Sequence, residues 1–299
     1  MQLSQFSLTQ QMILGLAVVM LILGLFSGGM MIDTPGKTSG STVGVIPIQG
    51  TIQTGGTLQQ SQIDPGTIRN LVQQASGDNV AAYLFEINSP GGGVVASRDL
   101  ARVVESLDKP TVCVFKDVAA SGAYWTAVEC DHIVADAMSV TGSIGATSAY
   151  LEFSDLLEQY GVEYVNLTAG EYKDAGSQFK ELEPDEREIL QRQLDTVHET
   201  FIEQVADGRN MSIEEARQHA TGETFLGQEA KDRGLVDELG GRDEAITYIE
   251  DELNRSVSTQ RYQRSSNLNL LSLLMMRVGQ GIGQSLTPSD DGPSITLEQ

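Results

Sequence analysis

The segment Val118–Trp125, V-A-A-S-G-A-Y-W, sets Ser121 between two alanines and a glycine. A short apolar strand is predicted before it, at Thr111–Phe115, and a small-residue helix after it. A serine at a strand-to-helix turn stands beside the free amides of the new helix, which suits a nucleophile whose reaction develops an oxyanion. Alone, the octet is also an ordinary small-residue turn, so its weight depends on its company. A nucleophilic serine needs a base. His132 precedes a strand, His198 sits inside a long helix pattern and His219 follows a surface helix, so each reads as structural or solvated and no Ser-His-Asp triad is expected. A lysine is the remaining option. Lys173, in A-G-E-Y-K-D-A-G, is the one loop lysine flanked by small and aromatic residues, a pattern that a solvated surface lysine also fits. To act as a base it needs a pKa of ~7–8 rather than ~10.4, which desolvation would best supply. No His/Cys/Glu spacing suggests a metal, and no cofactor is expected.

An α/β frame must position these residues. Val43–Gln49 alternates as a strand. Asp64-Pro65 supplies an N-cap with proline at N1, opening a helix with Ile68, Leu71, Val72 and Ala75 on one face. Val80–Ile87 reads as a nearly continuous apolar strand and Asn88–Gly93, N-S-P-G-G-G, as a sharp loop at its end. Ala96–Leu107 follows as a helix turning Leu100, Val103, Val104 and Leu107 inward, and His132–Ala135 as a further strand. Strands alternating with helices predict a covered parallel sheet. Ligands of such sheets sit at the carboxyl ends of the strands, where both the Gly-rich loop and Ser121 fall. Thr141–Gly145, T-G-S-I-G, predicts a tight turn, Ser154–Tyr160 a helix and Val162–Thr168 a strand. Glu183–Gly208 reads as a long helix, with Leu194, Val197, Phe201, Ile202 and Val205 at helical spacing. Ser212–His219 opens on a capping pattern, residues 223–240 form a helix–turn–strand element, and a last helix covers Arg242–Asn254.

The 299 residues carry a formal charge of −22, from 41 acidic and 19 basic side chains. A phosphate backbone would be repelled, which argues against a nucleic-acid partner. An acidic surface poor in lysine suits solubility at high salt, and a halophilic source is expected. Met12–Ile32 runs for 21 residues without a charge. As a helix it would reach ~31 Å, enough for a bilayer core. With no Lys or Arg before it and no A-x-A site after it, residues 1–32 read as a retained single-pass anchor, followed by a flexible linker at 33–42. Residues 43–254 are then the catalytic domain and 255–299 a polar tail. The tail's apolar stretch Leu268–Val278 is too short to span a membrane; it could pack on the domain, lie on the membrane surface or enter the substrate groove. Cys113 and Cys130, both in apolar contexts, are read as buried free thiols.

N-S-P-G-G-G, A-A-S-G-A-Y-W, T-G-S-I-G and Y-K-D occur in this order, followed by G-R-N-M-S and F-L-G-Q-E-A-K-D-R-G-L-V-D-E-L-G. Together they resemble the Ser-Lys peptidases of family S49, in the signal peptide peptidase branch, over about Val43–Glu250. The resemblance implies that Ser121 is the nucleophile, Lys173 the general base, Ser143 the hydroxyl orienting that lysine, and Gly92 and Gly122 the backbone oxyanion donors. Ala123 departs from the second glycine that many relatives carry, adding one methyl. The resemblance also implies a ClpP/crotonase-like spiral of βαβ units and a ring-like homo-oligomer in which neighbouring subunits can share the dyad. The activity implied is that of a membrane-anchored serine endopeptidase with its catalytic domain outside the cytoplasm, degrading residual signal peptides and other apolar peptides. Three alternatives stand beside it. A related membrane protease would cleave stomatin-like partners, which the longer body disfavours. A crotonase-type acyl-CoA enzyme would want catalytic carboxylates instead of Ser121 and Lys173. A membrane scaffold would use neither.

Overall fold

In the computed structural model the described residues are 41–55 and 62–263. The expected anchor and the apolar tail segment lie outside them. Three apolar strands make the centre: β1 (Thr42–Gln49), β4 (Ala82–Ser89) and β5 (Thr111–Ala120). Two short strands, β2 (Thr51–Ile52) and β3 (Gln62–Ile63), form a separate small ladder. β6 (His132–Ala135), β9 (Glu238–Leu239) and β10 (Ser258–Arg261) complete a parallel row in the order β10-β1-β4-β5-β6-β9. β7 (Val140–Gly142) pairs with the far end of β5, and β8 (Thr224–Leu226) lies antiparallel on β7. Strands buried on both faces read as continuous apolar runs, which is why the parallel sheet was legible.

α1 (Pro65–Gly77) begins as the sequence predicts, with Asp64 accepting from the Thr67 amide at 3.0 Å and Pro65 at N1. α2 (Val94–Glu105), α3 (Gly122–Ala127) and the C-terminal half of α5 (Pro184–Gly208) share the larger core with α1, around Phe85, Leu100, Tyr124, Ile133 and Phe201. α8 (Arg242–Leu253) covers the opposite face through Ala245 and Ile249 against Val45, Leu84 and Val114. Three short helices, α4 (Ser154–Gln159), α6 (Ile213–His219) and α7 (Gly227–Asp232), lie between these elements in sequence. Among the described residues no helix is long and apolar enough to cross a membrane.

Three features depart from the sequence reading. Cys113 and Cys130 are joined in a disulfide instead of remaining free thiols; β5 and the residue after the α3 turn bring their Cα atoms to 5.9 Å. Val162–Thr168 forms no strand but runs as coil, with Val165 72% and Leu167 94% exposed. The sheet also continues past residue 254: β10 pairs with β1 from Thr42↔Ser258 to Val45↔Arg261, and Tyr262 is buried. Arg261 and Arg242 close on the buried Glu86 carboxylate of β4.

Candidate active site

β5 delivers Ser121 at its carboxyl end, and α3 starts on the next residue. The turn is tight enough to place Ser121 at φ 54°, ψ −126°. A non-glycine residue there is strained, and such strain collects at functional turns where the surroundings hold it. Here they hold it from both sides: the Ser121 amide donates to the Gly142 carbonyl at 2.9 Å, and its carbonyl accepts from Trp125 at 2.9 Å. Gly122, as the first residue of α3, has an amide without an intrahelical partner.

The loop after β4 meets this turn. Gly92 bridges to Ile52 of β2 through the Gly91 carbonyl and the Gly93 amide, so the Gly92 amide takes no part in that bridge. A Cβ on Gly92 would lie 1.9 Å from the Ile52 carbonyl oxygen, which leaves no room for any other residue. A Cβ on Gly122 would come 3.4 Å from the Gly92 nitrogen, so the two glycines face each other across a narrow gap.

Ser143 follows β7 with φ 52°, its amide donating to the Glu223 carbonyl at 2.7 Å. Ser121, Ser143, Gly92 and Gly122 line one cavity of about 380 Å³. Its apolar wall comes from Val94, Trp125, Leu194, Val197 and Phe201, with the Trp125 and Phe201 rings stacked at 4.5 Å. The long-helix spacing had placed Leu194, Val197 and Phe201 on one face, and that face closes the cavity. None of the described residues lining it is a carboxylate.

Lys173 is not brought there. It stands exposed in a turn, its amide on the Gly170 carbonyl at 3.2 Å, and does not line the cavity. Its neighbour Asp174 binds Lys180 at 3.1 Å and Asn166 at 3.0 Å, and the Lys180 hydrogen bond holds that carboxyl below the usual carboxylate range. Lys180 also bonds Glu186 in the first turn of α5, so the Y-K-D turn is tied to the helix that carries the apolar wall. Of the histidines, His198 bonds the Ala220 carbonyl at 2.8 Å and His132 stacks on Tyr248 at 3.8 Å.

The sequence reading missed Ser97. It lies in the first turn of α2, 1% exposed, and is one of the residues lining the cavity. It stands three positions before Leu100 on the helix face already read as buried, so a polar residue in that register was the available signal.

A parallel α/β sheet with a strained serine and two facing glycines at its carboxyl edge is a frame for acyl-transfer chemistry. Comparison with known proteins narrows the class: the sequence matches the profile of peptidase family S49 over residues 104–256. A protease relative from Methanocaldococcus jannaschii is 35% identical, over 77% of this chain and 76% of its own. Protease 4 of Haemophilus influenzae is 30% identical over 82% of this chain, which spans 41% of that relative. A signal peptide peptidase SppA homologue of Enterococcus faecium is 32% identical over 71% of this chain and 62% of its own. Among solved structures, ClpP1 from Listeria monocytogenes is 16% identical, with 67% of this chain and 93% of that one covered at a TM-score of 0.43. The chain belongs to peptidase family S49.

Proposed function

We propose that the protein is a serine endopeptidase in which Ser121 attacks the peptide carbonyl, the Gly92 and Gly122 amides receive the oxyanion, and Lys173 takes the serine proton. The observation that carries this reading is the strained Ser121 turn facing the glycine pair inside an apolar-walled cavity. The cavity lining favours it over an acyl-CoA enzyme, which would need a carboxylate there. An apolar wall suits apolar peptides such as residual signal peptides, in line with the name of the Enterococcus relative. Residues 12–32 would hold the enzyme in the membrane, and the disulfide accords with a catalytic domain outside the cytoplasm.

Lys173 reaches a serine through a neighbouring copy in a ring-like homo-oligomer, each subunit folded as a ClpP-like spiral. Lys173 sits in a segment whose apolar side chains face solvent, Tyr160 at 75% and Leu167 at 94% exposed among them. Docking that segment on the next subunit would bury those side chains and desolvate the lysine together. Ser143 would then orient the incoming amine.

Mixing two inactive variants tests both halves of the proposal. Ser121→Ala and Lys173→Ala should each abolish peptide hydrolysis. Co-assembled in equal amounts, they should regain roughly a quarter of wild-type activity, because one interface in four pairs an intact serine with an intact lysine. Activity in Lys173→Ala alone would overturn the base assignment. A silent mixture that still assembles would place the dyad within one chain.

A further inference from the structure

Six serine and threonine side chains are buried among the described residues: Ser89, Ser97, Thr111, Thr126, Ser139 and Thr141. Five of them are hydrogen-bonded. Ser89 accepts from the Gly91 amide, Thr111 bonds Asp131, Thr126 donates to the Gly122 carbonyl, Ser139 to the Lys116 carbonyl and Thr141 to the Ala119 carbonyl. Ser97 Oγ alone is buried without a partner. A serine in a helix usually resolves this by bonding the carbonyl one turn back. Ser97 does not: its amide donates to the Gly93 carbonyl at 2.9 Å but its hydroxyl makes no bond there, and the residue lines the active-site cavity.

Its position there is specific. A Cβ on Gly122 would lie 2.0 Å from Ser97 Oγ and 3.4 Å from the Gly92 nitrogen. The hydroxyl therefore occupies the space that Gly122 leaves open, next to the two amides assigned to the oxyanion. A buried, unpaired hydroxyl lowers stability, so a merely structural site would be better filled by alanine.

We infer that Ser97 is a catalytic residue that donates a third hydrogen bond to the oxyanion. The inference rests on the catalytic reading above. As the Ser121 Oγ–carbon bond forms, the carbonyl π pair moves onto oxygen and the serine proton passes to the Lys173 amine. The new negative charge accepts from the Gly92 amide, the Gly122 amide and Ser97 Oγ. As the C–N bond breaks, the Lys173 ammonium gives its proton to the leaving amine, the carbonyl re-forms as an ester on Ser121 Oγ, and the Ser97 hydroxyl is again unpaired.

Ser97→Ala tests this, measured as kcat, KM, thermal stability and the rate of labelling by a fluorophosphonate, whose phosphonyl oxygen enters the same position. Expected are a kcat lower by about 10- to 100-fold, a KM within about 2-fold, labelling slowed in parallel, and a Tm equal to or above wild type. Wild-type kcat would overturn the inference. So would a loss tracking a lowered Tm, which means packing, or one confined to KM and side-chain preference, which means a specificity contact. If the alanine variant does not fold, Ser97→Cys, of similar volume but a weak donor, should show the same loss of kcat; full activity in it would overturn the inference. Ser121→Ala separates the two levels. Full activity there removes the catalytic reading itself, whereas an inactive Ser121→Ala beside a fully active Ser97→Ala removes only the third donor.

Discussion

At the scale of single residues, Glu129 is a partly buried carboxylate held against its charge. It follows α3, with Glu105 at the end of α2 and Asp207 at the end of α5 near it, and burial together with those two charges raises its pKa from 4.5 to about 7. The folded protein thus binds this proton more tightly than the unfolded chain. Between pH 4.5 and about 7 the folded state holds more protons, and stability falls as pH rises through that window. The full shift corresponds to ~3 kcal/mol, which partial solvent exposure reduces to ~1–2 kcal/mol. Glu129→Gln should match wild type at pH 4 and exceed it by ~1–2 kcal/mol at pH 8, as read from denaturant melts across pH. An equal gain at both pH values would mean packing and not ionisation.

Among the elements, β10 decides where the folded domain ends. Its sequence, S-T-Q-R, carries no apolar residue, and all four positions are exposed, so hydrophobic pattern could not reveal it. It nevertheless shields β1 from being an open edge and brings Arg261 to Glu86. A chain ending at Leu253 should lose several kcal/mol, on the order of 3 from the half-stripped Glu86 alone, and should aggregate on warming. A chain ending at Gln263 should melt like the full-length protein; similar melting of both would show that β10 is dispensable. The same contrast explains what else was legible. Capped helices such as α1 and apolar strands such as β4 and β5 announce themselves locally. So do Ser121, Ser143, Gly92 and Gly122, because each sits at an element end that the pattern marks, and the structure gathers all four around one cavity. Val162–Thr168 misled because alternating apolar residues fit a strand and an exposed coil equally well. Lys173 stands exposed in its turn, and its local sequence marks no partner for it.

For the molecule as a whole, a net charge of −22 makes its copies repel, so the assembly proposed above would have to draw on apolar burial such as the exposed side chains between residues 150 and 179 offer. The Cys113–Cys130 bond adds a different constraint. It closes a covalent ring, 17 residues in separation, that runs up β5, through Ser121 and back along α3. Closing a loop of that size removes ~3 kcal/mol of freedom from the unfolded chain. Reduction should therefore lower Tm by roughly 6–12 °C, measured by calorimetry with and without a thiol reductant; an unchanged Tm would show that the bond adds no stability. The practical consequence falls on handling: the protein purified or assayed in dithiothreitol would be less heat-resistant than its disulfide-bonded form, and its inactivation half-life would depend on the buffer as much as on the sequence.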